Sequence, residues 1–296
     1  MDGIICINKP EGFTSFDVVA KLRGMTKIKK IGHSGTLDPM ATGVLPVFIG
    51  RATRAIDLMP DHRKRYTASF QLGQTTDTLD RTGTILSSCP SRISLEGLKE
   101  TLSQFQGIIS QFPPMYSAVR VNGQRLYDLA RQGKEIERKP RQVEIYGLNL
   151  LEFSPEEQIG KIDVFCSKGT YIRSLCDDIG KKLGVGAVLT DLVRTQAGCF
   201  CLEDCFTLEQ IQKMKDRETL EKALISVERL FSKFPKIQLN PIQTRMFSNG
   251  VKLDLKRIHW QQSIEEQAVY GAQGEFLGIA IPNMETSELV IRKLLI

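Results

Sequence analysis

Residues 32 to 46 read GHSGTLDPMATGVLP, and such a run cannot form the interior of one regular element. Gly32, Gly35 and Gly43 open left-handed conformations and permit close approach to the main chain, while Pro39 pushes Asp38 out of the helical region. The segment is a loop that presents its side chains. Asp38 is its only acid, beside His33, Ser34, Thr36 and Thr42, so one carboxylate sets the local chemistry. An aspartate before proline among glycines is also an ordinary turn starter, and the loop alone does not separate the two uses.

The flanking sequence supplies regular elements. GIICI, residues 3 to 7, reads as a short buried strand, and Thr14 with Asp17 forms a capping-box pattern opening a helix that buries Val18, Val19 and Leu22. The polar face and exit of that helix carry Lys21, Arg23, Lys27, Lys29 and Lys30 directly into the Asp38 loop. RYTASFQL, residues 65 to 72, alternates with Tyr66, Ala68, Phe70 and Leu72 on one side, a strand pattern. Ser94 to Phe105 has the apolar stripe of a helix. The stretch 112–140 opens on Pro113-Pro114 and carries Arg120, Arg125, Arg131, Lys134, Arg138 and Lys139 with little apolar repetition, as an exposed connector or a binding lid would.

Alternation returns at 143–153 and 162–171, and a helix is expected from Ser174 to a stop at Gly184, with Leu175, Ile179 and Leu183 spaced by four. Strand period then places Tyr171 and Arg173 on one side of a strand end. Taken alone, Leu192 reads as helix core, and Asp77 and Asp80 as parts of a tight turn. Two helices are expected near 208–214 and 220–230, and Pro235 and Pro241 mark a seam. Beyond it, short strand patterns at 251–253, 267–270, 276–281 and 288–293 indicate a small β-rich module, giving domains 1–234 and 235–296.

Charge narrows the partners. Residues 1–200 hold 27 Lys and Arg against 21 Asp and Glu, whereas residues 201–296 hold 13 of each, so the formal +6 lies where a polyanion would be held. The seven cysteines form no C-x-x-C pair and the three histidines are scattered, which argues against a metal site and for reduced thiols. No G-x-x-x-x-G-K-[S/T] phosphate loop, signal pattern or membrane-length apolar run occurs, so a cytoplasmic protein is expected.

The Asp38 loop resembles the signature of the TruB-type tRNA pseudouridine synthases, GH(S/T)G(T/A)LDP(M/L)ATGVLP. Four further segments resemble that family's motifs in the same order: GIICINKPEGFTSFDVV at 3–19, KRYTASFQLGQTTDTLDRTG at 64–83, CSKGTYIRSLCDDIGKKLG at 166–184 and LTDLVRTQAG at 189–198. The resemblance implies an α+β fold with a mixed, largely antiparallel central sheet, a thumb near 112–140 that closes on RNA, and a small β-rich, PUA-like C-terminal domain. It also implies the reaction, conversion of uridine to pseudouridine at position 55 in the tRNA T arm, with no cofactor, no metal and no obligate protein partner, by a monomer.

By the same resemblance Asp38 is the catalytic carboxylate, Arg173 its ionic partner, and Tyr66 the aromatic that stacks on the uracil. Leu192 walls the pocket, Lys9 and His33 contact or position the RNA and support the loop, and Tyr171 holds the loop or Arg173 in place. A tRNA-binding or folding factor without catalysis, or a synthase of this fold acting on another RNA, would share most of these features.

Overall fold

The computed structural model describes residues 1–117, 119–121, 123–260 and 263–296. Ten strands form one sheet: β1 Gly3–Lys9, β2 Ile31–His33, β3 Thr42–Ile49, β4 Lys64–Leu72, β5 Gly107–Gln111, β6 Arg141–Ser154, β7 Ile159–Cys166, β8 Ala187–Ala197, β9 Phe200–Cys201 and β10 Cys205–Phe206. Their order is β10-β1-β3-β8-β4-β7-β6-β5, with β2 on β3 and β9 on β8. Only the β1–β10 and β3–β8 pairs are parallel, so the sheet is mixed and mainly antiparallel. One face packs α2 Leu95–Ser103, through Leu98, and α4 Ile172–Lys182, through Leu175, over Phe70, Ile162 and Leu189. The helix α1 Ser15–Thr26 and α5 Leu208–Asp216 share a second cluster with Ile5, Val47 and Ile211.

Local sequence explains several element ends. Thr14 Oγ1 accepts the Asp17 N–H at 3.1 Å and Asp17 accepts the Thr14 N–H at 2.8 Å, completing the expected capping box at the start of α1. In β4 the residues Tyr66, Ala68, Phe70 and Leu72 are buried while Arg65 is exposed, as the period of 2 requires. Gly184, at φ +74°, ends α4 in a left-handed turn.

Three local expectations are corrected. The strand expected to run to Tyr171 stops at Cys166, and Gly169 at φ +84° turns the chain, so Tyr171 is the residue that caps α4 and Arg173 lies in its first turn. LTDLVRTQAG is strand, not helix: Leu192 sits in β8, opposite Ala68 of β4. The second helix expected after Phe206 is instead two 3-10 turns, Leu220–Ala223 and Val227–Phe231.

In the segment 112–140 a two-stranded turn, Arg120–Val121 with Gln124–Arg125, leads into the short helix α3 Leu126–Arg131. Ala118 and Asn122, within that expected lid, lie outside the described residues. Leu126 and Leu129 are buried, so the segment is packed rather than free. At the C-terminal end β11 Lys236–Gln238, β12 Leu253–Asp254, β13 Gln267–Tyr270, β14 Phe276–Asn283 and β15 Glu288–Leu294 form a five-stranded sheet in the order β11-β13-β14-β15-β12. The helix α6 Pro241–Ser248 contributes Phe247 to its core. Ala268, Tyr270 and Ile279 of this sheet pack with Ile4, Phe48 and Phe231 in one continuous cluster.

Candidate active site

The loop from Ser34 to Ala41 leaves β2 and returns into β3, and buried contacts fix it from both ends. Leu37, Met40 and Ala41 enter the core. The Leu37 N–H donates to Ser15 Oγ at 2.9 Å, and the Ser15 hydroxyl lies 3.3 Å from the Leu37 carbonyl. The Gly12 N–H donates to the Pro39 carbonyl at 2.8 Å. Lys9, fully buried, donates from Nζ to the carbonyls of Phe13 at 2.6 Å, Pro10 at 2.9 Å and Pro39 at 3.2 Å. Burial, offset in part by Asp38, pushes its amine down to about 8.

A second buried cation holds the other limb. Arg194 of β8 is fully buried, and its Nε donates to the Val44 carbonyl at 2.7 Å, Nη2 to that of Gly35 at 3.1 Å and Nη1 to that of Thr36 at 3.4 Å. This needs β3 and β8 very close together. A Cβ on Gly43 would stand 2.2 Å from the Arg194 carbonyl oxygen, and Gly43 has φ +103°, so glycine is required there twice over.

Between these anchors Asp38 projects outward, its side chain 34% exposed. The first turn of α4 brings Arg173 to it. Nε lies 2.9 Å from Asp38 Oδ2, close enough for an ion pair but off the line of the N–H, and the guanidinium is 5% exposed. Its other nitrogens are held by backbone: Nη1 donates to the Thr78 carbonyl at 3.0 Å and Nη2 to that of Tyr116 at 2.8 Å. Asp80 adds a second carboxylate, with Oδ2 3.6 Å from Arg173 Nη1. Its Oδ1 accepts from the Thr78 hydroxyl at 2.8 Å, the Thr82 hydroxyl at 2.6 Å and the Thr82 N–H at 2.9 Å. The turn read in the sequence is there, and it also steadies the arginine.

Asp38 and Arg173 open on a cavity of about 350 Å³ whose walls include Lys64, Tyr66, Tyr171 and Leu192. Tyr66 is buried, and desolvation pushes its phenol up despite the nearby Arg194, which keeps it a neutral aromatic surface with a proton to give. Lys64 precedes Tyr66 by two residues on β4 and faces the same way. Burial, and then repulsion by Arg194, push its amine down to about 8. Ser117 and Val119, from the segment 112–140, close one side.

The expected residues therefore fall into two groups. Asp38, Tyr66, Arg173, Tyr171 and Leu192 meet at the cavity. Lys9 and His33 do not line it: Lys9 is spent on backbone carbonyls, and His33 Nδ1 accepts the Gly35 N–H at 3.3 Å. Burial and then Arg194 push the His33 imidazole down, which suits a neutral brace rather than a cationic RNA contact. Tyr171 reaches the site through its backbone as well, exchanging hydrogen bonds with the Gln111 side chain at 3.1 and 3.3 Å. The sequence singles out neither Arg194 nor Lys64, and it offers Asp80 only as a turn residue. Two signals were present: Lys64 shares the alternation of Tyr66, and Arg194 stands in the same motif as Leu192.

A carboxylate beside a permanent cation, in a small cavity walled by an aromatic ring and an aliphatic side chain, is suited to attack on one planar heterocycle or its sugar. Comparison with known proteins agrees in kind. Residues 23–172 match the model of the TruB family pseudouridylate synthase N-terminal domain, and residues 173–232 that of the tRNA pseudouridylate synthase B C-terminal domain. The chain is 44% identical over 282 residues to the tRNA pseudouridine synthase B of Clostridium perfringens strain 13, covering 94% of each chain. It is 42% identical to that of Clostridium novyi strain NT, covering 100% of both. The Cbf5–Nop10–Gar1 complex crystal structure includes a chain that superposes with a TM-score of 0.76 at 26% identity, over 99% of this chain and 85% of that one.

Proposed function

Because the chain belongs to the TruB family of pseudouridylate synthases and forms pseudouridine in tRNA, we propose that its target is the uridine at position 55 of the T loop, with Asp38 as nucleophile. The observation that carries this reading is the Asp38–Arg173 pair at the mouth of a cavity that has Tyr66 in its wall. At about 350 Å³ the cavity is at the small end for ligand sites, suited to one nucleotide and not to a stacked helix. The base must therefore leave the stack to enter.

The isomerisation breaks the N1–C1′ bond, turns the uracil, joins C5 to C1′, and moves the C5 proton away while N1 gains one. Asp38 adds covalently to the nucleotide, at C1′ or at uracil C6, and leaves when the new bond is made, or it takes the C2′ proton and the base departs to leave a glycal. Arg173 keeps the carboxylate aimed and supplies a fixed positive charge beside it. Tyr66 stacks on the extruded uracil, and in the removal of the C5 proton its neutral phenol serves as a hydrogen-bonding partner and not as the base. Leu192 limits the space in which the free base turns. The protein's own groups complete the cycle, with no redox change or added group.

The segment 112–140 acts as a lid in this reading, because the Tyr116 carbonyl holds Arg173 and Ser117 lines the cavity. Residues 235–296 form a small PUA-like domain beside the synthase domain of residues 1–234. The partner is the T arm, held through its phosphates and recognised by shape. Mapping pseudouridine in unmodified tRNA transcripts after incubation with the protein tests the assignment. Modification confined to position 55 is expected. A product at another uridine, with position 55 untouched, would transfer the reading to a different RNA site.

A further inference from the structure

Four cations surround the Asp38 loop: Lys9, Lys64, Arg173 and Arg194. Three of them spend their donors inside the protein. Lys9 bonds three carbonyls, Arg194 three more, and Arg173 two carbonyls besides its contact with Asp38. Lys64 differs. Among the described residues its amine has neither a hydrogen-bond acceptor nor a carboxylate partner, although it lines the cavity. A Cβ on Gly35 would lie 3.1 Å from Lys64 Nζ and 3.6 Å from Arg194 Nη1, so the amine and the guanidinium both stand on the side of the loop that glycine leaves open.

The charge around Lys64 is one-sided. Arg194 on β8 and Lys168 in the turn after β7 both repel it, His33 and His62 also lie within reach of its field, and the Cys166 thiol on β7, pushed up to about 11 by burial, stays neutral beside it. An ammonium held in such a place, unpaired and facing a cavity, is completed by an anion brought in from outside. A compact point charge suits a phosphate oxygen better than a carbonyl of the base.

We propose that Lys64 is a phosphate-binding residue, which takes a non-bridging oxygen of a phosphate flanking the extruded uridine and so sets how deep the nucleotide enters beside Tyr66. This rests on the reading of the cavity as the uridine site. The RNA then supplies the negative charge that the protein leaves out around Lys64. Because the ammonium occupies the space beside Gly35 where a Cβ would stand, the bound phosphate would lie next to the loop that carries Asp38.

The test is equilibrium binding of T-arm RNA to the full chain carrying Asp38→Asn, which separates binding from turnover. Three RNAs are compared: unmodified, and with one neutral methylphosphonate either 5′ or 3′ of the target uridine. Lys64→Met should raise Kd about tenfold, the scale of one charge-assisted hydrogen bond in a part-exposed site, and Lys64→Arg should recover most of the loss. With Lys64 present, one of the two methylphosphonates should cost a similar factor. In Lys64→Met that same methylphosphonate should cost almost nothing more, because the partner is already gone.

Losses that add fully at both phosphates would overturn the proposal, as would an unchanged Kd in Lys64→Met. So would normal binding by Lys64→Met with slowed tritium release from uracil C5, which would place Lys64 in the chemical step. If Lys64→Met fails to fold, the methylphosphonate series on the Lys64 chain still decides, since no loss at either position refutes the contact. Release of C5 tritium by the chain with Asp38 and Lys64 intact tests the uridine-site reading separately. That assay can succeed while the phosphate contact fails.

Discussion

Replacing Arg173 by methionine probes the site where most of its contacts converge. The guanidinium is 5% exposed and holds Asp38 at 2.9 Å together with the Thr78 and Tyr116 carbonyls at 3.0 and 2.8 Å. Methionine fills much of the volume but leaves both carbonyls without that donor, at roughly 1 kcal/mol each. It also strips the counter-charge from Asp38 and from buried Asp80. A buried pair broken on one side costs about 3–5 kcal/mol, and the 34% exposure of Asp38 lowers that to roughly 1–3 kcal/mol. The sum, about 3–5 kcal/mol, predicts a melting temperature lower by about 10 °C.

The effect on rate is separate. Without the cation Asp38 is neither aimed nor stabilised as a leaving group, and loss of one such electrostatic contact slows chemistry by about 10²–10³-fold. Arg173→Lys keeps the charge but cannot span Asp38 and two carbonyls, so its rate should fall between the two. Single-turnover tritium release at saturating T-arm RNA, below the melting point of each variant, measures this. A folded Arg173→Met protein that releases tritium within about threefold of the parent rate would refute the role given to the pair.

Other perturbations separate the parts of the site. Tyr66→Phe should keep RNA affinity and slow release, whereas Tyr66→Leu should also weaken binding by up to about 1–3 kcal/mol through lost stacking, readable by titration. Gly43→Ala forces a methyl group against the Arg194 carbonyl at a positive φ, so denaturant unfolding should show a loss of about 2 kcal/mol or more. The Lys64 amine, pushed down to about 8, is charged below that pH and neutral above it. Its share of RNA affinity is therefore present at pH 7 and lost by pH 9. Lys9, also pushed down to about 8, titrates in the same range, so the part of the drop that Lys64→Arg removes in a pH series of Kd belongs to Lys64.

What the sequence made legible was local. The capping box of Thr14 and Asp17, the alternation around Tyr66 and the loop around Asp38 each depend on residues within a few positions of one another. The alternation of Ile162 to Tyr171 points to a strand end at Arg173, but β7 stops at Cys166 and the turn at Gly169 comes before Tyr171. Leu192 reads as helix core in a short window, because β8 owes its form to pairing with β4 on one side and β3 on the other, which no short window contains. Arg194 was hidden for the same reason: its three acceptors lie about 150 residues away, and a buried arginine reads in sequence like any surface one. Asp80 is the turn residue its sequence suggests, yet its second oxygen faces an arginine brought over from α4.

The most direct test is tritium release from a T-arm transcript labelled at uracil C5, run on the parent chain and on Asp38→Asn. Stoichiometric release by the parent, and none by a folded Asp38→Asn protein that still binds the RNA, is the predicted outcome. Release by Asp38→Asn at the parent rate would contradict the central assignment.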